Sequence, residues 1–408
     1  MGRAWDTAMV SITEMQSGSD TRNTRLVGYH DLNGHGDGMQ VVKRGEFVYV
    51  AHLGTSEMAL SILDCSNPQK PELVRQIKHL PDTHSHKVQI VGDTLIQNCE
   101  RPYFKKLDPT ARPVTGLAVY SLEDPTDPAQ VGFHDVVGTG VHRLWYSEPP
   151  YAHIAAYLPG GSARAYQIVD LSDPAAPKMA GSWWIPGTHE DDTDGWRPLP
   201  GEEKYAVHGI ISRGNRAYVS CTDAGMVILD ISDVKAPRFI SRTDWNPPYG
   251  GYVHTALPLP RRGLVVATCE SVRPTRDEDG DKRVWIIDVR DERRPVTIAT
   301  FPIPTPSQQS PWDSYDDRPL RFGPHNLHEN RPGSFQSEEL MFVTYFNAGL
   351  RVVDISDAHR PTEVGHFVPP TPAGQEAPQL NDLYVDEDAL VYLTDRISGG
   401  MYVIEYTG

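Results

Sequence analysis

Apolar and polar residues alternate over short runs along this chain, and the runs share one ending. The phrase reads LSILDCSNPQKP at 60–71, LAVYSLEDPTDP at 117–128 and YQIVDLSDPAAP at 166–177. It returns as MVILDISDVKAP at 226–237, VWIIDVRDERRP at 284–295 and LRVVDISDAHRP at 350–361. A truncated copy, MYVIEYTG, closes the chain at 401–408. Alternation with period two predicts strands with one buried face. Return of a unit every 40 to 65 residues or so predicts four-stranded blades that must pack on their neighbours.

Each copy reads as strands A to D. The phrase itself is strand C, and the run after its Pro is strand D, as in ELVRQIKHL at 72–80 and AQVGFHDV at 129–136. Strands A and B form a hairpin ahead of it, clearest in VHGIISRGNRAYVSC at 207–221. The Asp–x–Ser–Asp ending has a local cause. Asp and Ser side chains accept bonds from backbone N–H groups two residues on, and Pro fixes φ on leaving the turn.

The last copy stops at strand C, while TRLVGYHDL at 24–32 matches the strand-D phrases. Residues 24–32 are therefore expected to complete the C-terminal blade and close a seven-bladed, all-β propeller, a closure that removes exposed sheet edges. Residues 1–23 are read as an N-terminal extension and 24–408 as one propeller domain. The phrases ILD, IVD, IID and VVD make the chain resemble the family named for its LVIVD repeat. That resemblance implies the propeller and leaves function open.

Composition narrows the partners. A net charge of −16 argues against nucleic acid. The chain lacks an apolar stretch of membrane-spanning length and an apolar N-terminal signal core, so a cytoplasmic protein without membrane contact is expected. Four Cys do not make a disulfide framework.

Aligning the copies on strand A exposes a column of histidines. His86, His142, His208, His254 and His325 open this strand in five consecutive blades, with Asp37 and Asn381 in the remaining places. Strand A lines the channel of a propeller, so these imidazoles converge on its mouth and offer ligands to a divalent transition metal. Fe(II) is the first choice, with Cu, Mn and Zn as alternatives. The column looks like the four-histidine iron site of carotenoid-cleaving propellers in geometry alone. A repeat position that uses His for a structural hydrogen bond would make the same column.

A second column ends strand B at the same mouth. Glu100 and Glu270 lie there and are candidates to hold a ligating His or move protons, with His142 as a third catalytic candidate. Asp223 and Asp395 read as turn caps, and Cys99, Cys221 and Cys269 as small buried apolar residues. His35, His84, His189 and His328 lie near mouth loops. Long loops at 185–206 and 302–324 read as lids, and Trp196, Trp312, Tyr345 and Arg396 as substrate-binding residues.

These expectations describe a metal-dependent enzyme acting on a small aromatic or alkenyl molecule, by oxidative cleavage. Lyase or hydrolase chemistry, a copper propeller resembling the selenium-binding-protein type, and a non-catalytic interaction module are the alternatives.

Overall fold

The alternating runs become strands with the expected order. In a computed structural model describing residues 12–55, 57–196, 205–273, 279–308, 310 and 312–408, seven four-stranded antiparallel sheets form. In blade 5 the strands are Val253–Leu259, Leu264–Cys269, Val284–Asp288 and Val296–Thr300, from the inside outwards. The inner three are buried along nearly their whole length, while the outermost is exposed at its first residue and half-buried along the rest. Apolar layers between neighbouring blades form the core. One joins Tyr392 and Val403 of the last blade to Val41, Tyr49 and Ile62 of the first and Val88 of the second. Full burial of each such side chain is worth about 1.5–3 kcal/mol, so the ring is held by its blade-to-blade faces.

The chain's two ends close the ring. Strand Thr24–His30 pairs with Met401–Tyr406, from Thr24 opposite Tyr406 to His30 opposite Met401. Arg25 and Glu405 form an ion pair across this seam. The segment ahead of it is also built into the ring. Asp20–Arg22 pairs with Thr362–Val368 as the outer strand of blade 6. His366 clasps it, with Nε2 3.2 Å from Asp20 Oδ1 and Nδ1 2.9 Å from Glu363 Oε1. The innermost place of blade 6 is taken by a less regular segment, where His325 N donates to Thr344 O at 2.8 Å and His328 N to Phe342 O at 2.9 Å.

The repeated ending does what its residues predict. Asp64, Asp170, Asp230 and Asp354 each accept the backbone N–H of a Ser two residues on, at 2.7–2.9 Å. These bonds favour the carboxylate and lower its pKa. The turn then meets the preceding blade at a glycine. A Cβ on Gly28 would lie 2.0 Å from Pro68 O, and one on Gly132 2.0 Å from Pro174 O. The shared VG of strand D is thus a contact between blades, set at a bulge in the strand. No helix among the described residues is long and apolar enough to cross a membrane.

Candidate metal centre

Strand A delivers the histidine column to one end of the channel as expected. Four imidazoles follow one another closely. Ring centroids are 4.8 Å apart for His142 and His208, 4.5 Å for His208 and His254, and 4.1 Å for His254 and His325. His86 lies 5.3 Å from His142 and stacks on His84 at 4.2 Å. Burial holds all five column histidines well below the usual imidazole pKa, and lowers His84 to about 4. At neutral pH they are neutral, the state a metal requires.

Hydrogen bonds behind the rings choose which nitrogen most of them present, whereas His208 Nδ1 is buried with no partner among the described residues. The Nδ1–H of His325 donates to Asn381 O at 2.6 Å, and that of His84 to Leu53 O at 2.8 Å, leaving both Nε2 lone pairs free. His142 Nδ1 lies 3.0 and 3.1 Å from the two oxygens of Glu100, so its Nδ1–H donates to that carboxylate. Its Nε2 is 3.1 Å from His208 Nε2. An imidazole backed by a carboxylate or carbonyl is the usual orientation of a metal-ligating His. His86 differs. Asn98 is oriented by Lys87 N–H on its Oδ1, so its amide donates to His86 Nδ1 at 3.1 Å.

The two strand-B carboxylates sit against this ring. Glu270 reaches three imidazoles from separate blades. Its oxygens are 3.9 Å from His208 Nε2, 3.7 Å from His254 Nε2 and 3.6 Å from His325 Nε2. These gaps exceed a hydrogen bond. They are a few tenths of an ångström longer than the roughly 3.0–3.5 Å between neighbouring ligands on an ion with bonds near 2.1 Å. Glu100 Oε2 stands 3.8 Å from His84 Nε2 and 3.9 Å from His86 Nδ1. Two donor groups, His208–His254–Glu270 and His84–His86–Glu100, therefore have spacings that would hold a metal ion. Arg143 competes at one point, with Nη1 2.7 Å from His254 Nε2. A guanidinium only donates, so it and an ion contend for that lone pair.

A cavity of about 490 Å³ opens above the ring. Tyr103, Tyr157 and Tyr252 supply its aromatic walls, and Arg164, Arg321 and Arg396 its charged ones. Lys87 and Arg143 lie next in sequence to ring histidines and also line it. Arg143 reaches across the channel to Asn326 Oδ1 at 3.2 Å and Glu329 Oε1 at 3.5 Å. Burial lowers the Lys87 pKa and raises that of Asp382.

Of the residues singled out in the sequence, the five ring histidines, Glu100, Glu270 and Arg396 all line this cavity. Three aromatic residues do not. Trp196 folds back over the outer strand of blade 4, 5.5 Å from Phe239 with Arg242 stacked at 4.8 Å, because its loop turns outward. Tyr345 is buried in an apolar layer beside Val343 and Met341. Trp312 lies in the 302–324 loop with its backbone N–H on Ser310 Oγ, away from the lining. Of the two expected lids, the 302–324 loop sends Arg321 to the cavity, whereas the described part of 185–206 sends nothing. Arg197 lies outside the described residues.

The remaining column members are structural. Asp37 accepts His52 Nδ1–H at 2.8 Å and two loop N–H groups. Asn381 donates to Met39 O at 2.6 Å. Asp395 caps its loop through the N–H groups of Gln379, Ile397 and Ser398. The cysteines are buried free thiols, and burial pushes Cys99 and Cys269 up to about 11. Among the loop histidines only His84 joins the ring. His189 bonds Pro159 O, and His328 bonds Phe335 O.

Comparison with known proteins supports the same architecture. Among solved structures, the N-terminal domain of Nup159 aligns with a TM-score of 0.55 at 10% identity, covering 95% of both chains. Sqt1 from Saccharomyces cerevisiae aligns with 0.51 at 10% identity, covering 93% of this chain and 87% of that one. The computationally designed Ika8 protein aligns with 0.50 at 9% identity, covering 93% and 98%. At such identities the likeness is one of fold. A search of curated proteins found no match. The LVIVD repeat family model matches residues 35–78, 164–184, 207–244 and 337–368. The chain is a seven-bladed β-propeller that carries LVIVD repeats.

Proposed function

We propose that this chain is a metal-dependent enzyme whose ion sits at the channel mouth. His142, His208, His254 and His325 hold it, with Glu270 beside them. The observation that carries the reading is the Glu270 carboxylate standing 3.6–3.9 Å from three neutral imidazole nitrogens of three blades. Neutral nitrogen donors with one carboxylate suit Fe(II) first, and Cu, Mn or Zn after it. When bound, such an ion supplies an open position for dioxygen or polarises a carbonyl. Glu100 keeps the His142 Nδ1–H in place and so aims Nε2 at the ring. The tyrosine-walled cavity positions a small organic molecule above the ring and excludes water from it.

Oxidative cleavage of an aromatic or alkenyl substrate is the first reaction class, with Lewis-acid lyase or hydrolase chemistry second. Elemental analysis of protein purified without chelator or His tag tests the metal. About one equivalent, lost in His208→Ala, supports the reading. No metal after anaerobic reconstitution overturns it. Oxygen uptake with candidate substrates then separates the two reaction classes.

A further inference from the structure

The chain carries a net charge of −16, yet the cavity above the ring is walled by cations. Arg101, Arg164, Arg321 and Arg396 line it with only Glu100 and Glu270 as carboxylates. Arg164 is the most committed of them. It opens strand Arg164–Asp170 and is 6% exposed. Its Nε donates to Val207 O at 3.0 Å, while its Nη2 is buried without a hydrogen-bond partner among the described residues. A buried guanidinium donor left unmade is costly, and a bound anion would satisfy it. The Tyr252 ring sits edge-on to His208 at 5.5 Å, and its hydroxyl is drawn to the Arg164 guanidinium by charge and by hydrogen bonding, so only the Nη2 corner of Arg164 is left over. Across the mouth, Arg321 and Arg396 lie 5.6 and 5.7 Å from one ring, Phe346. Arg321 reaches Glu270 Oε1 only at 3.3 Å, and the Arg396 side chain makes no hydrogen bond or ion pair among the described residues. Two like charges at one ring raise the positive potential where a ligand enters.

We infer that the cavity selects a carboxylate on an aromatic or conjugated body, seated on Arg164 and Tyr252 beside the metal ring. A guanidinium edge matches a planar carboxylate, and the faces of Tyr103, Tyr157 and Tyr252 take the rest of the molecule. Inorganic phosphate would leave those rings without a partner. This inference rests on the metal-site reading only for the position of the reacting bond, since the carboxylate seat belongs to the protein alone.

Calorimetric titration with cinnamate, its neutral isostere cinnamamide and inorganic phosphate tests it, on metal-loaded and chelator-treated protein. The expected result is saturable cinnamate binding in both forms. Arg164→Met should weaken it at least about tenfold without changing metal content, Arg396→Met should weaken it less, and cinnamamide should bind far more weakly. Cinnamamide binding as well as cinnamate would overturn the inference. So would phosphate displacing cinnamate, an Arg164→Met variant that binds normally, or no cinnamate binding at all. Cinnamate binding that vanishes with the metal but ignores Arg164 would also overturn it, the carboxylate then being a ligand of the ion. Charge-selective binding by protein that never takes up metal would uphold the carboxylate seat while the metal reading fell. If Arg164→Met does not fold, Tyr252→Phe and Arg396→Met carry the same comparison.

Discussion

Glu100 and Glu270 occupy the same place in blades 2 and 5, each following the cysteine that ends strand B. They meet the ring differently. Glu100 is engaged through both oxygens by His142 Nδ1 at 3.0 and 3.1 Å. Glu270 stands 3.6–3.9 Å from three Nε2 atoms. One carboxylate orients a ring member, and the other stands among ring nitrogens of three blades. The lesson is that a repeat position alone does not set chemical role. The neighbouring imidazole decides it, by the nitrogen it turns toward the acid.

Substitutions should separate the two roles. The largest effect is expected from Glu270→Ala, which removes a donor and should abolish metal retention after dialysis. A variant keeping a full equivalent would break the contrast. Glu100→Gln should keep the stoichiometry but weaken affinity by about 10–100-fold, the usual cost of losing a carboxylate behind a ligating His. Competition with a chromogenic chelator reads this directly, and equal losses in both variants would erase the distinction. His84→Gln, on the Glu100 side, should leave metal content unchanged. The smallest effect belongs to Arg143→Gln. Removing the guanidinium that faces His254 Nε2 at 2.7 Å should raise affinity by a few fold. A drop would mean that Arg143 supports the ring rather than competing with it.

Acid should test the burial behind these assignments. Burial lowers His153 to about 3 and His328 to about 4, both away from the proposed ligands. An unfolded imidazole titrates near 6.5, so below that pH the unfolded chain binds protons that the folded chain refuses. The stability these residues contribute is full above pH 6.5 and falls between 6.5 and about 4 to 3. His366 runs the other way. Its bonds to Asp20 and Glu363 raise its pKa, so its contribution is present in acid and lost as pH rises through the raised value. Melting curves of metal-free protein should therefore lose stability from pH 7 to pH 4, with the buried histidines outweighing His366. A flat profile would contradict their neutral burial.

Much of this molecule is written in its repeats. The strand-C ending fixes each blade's turn through Asp64, Asp170, Asp230 and Asp354, and the VG of residues 27–28 announced the closing strand. The ring histidines and the two glutamates were visible because each column recurs at one depth in the channel. Residues that break the repeat were harder to see. Arg164 stands six places before its strand-C Asp170, where other copies have Ala224 and Ala348, so a search for recurrence averages it away. The aromatic walls were misassigned for a related reason. Trp196 and Tyr345 are large enough to bury in blade faces, and composition does not say which face a loop turns toward. Tyr103 and Tyr252, which do line the cavity, come from loops that carry no repeat. His84 joined the ring because a stacked neighbour two residues from His86 shares its depth.

The most direct test of the central claim is a crystal of the metal-loaded protein measured at the absorption edge of the metal found in it. The account predicts a single anomalous peak about 2.0–2.2 Å from the Nε2 atoms of His208 and His325, on the Glu270 side of the ring. A peak between His84, His86 and Glu100 would reverse the roles assigned to the two carboxylates. Full occupancy elsewhere, or no peak in protein soaked with metal, would contradict the metal centre itself.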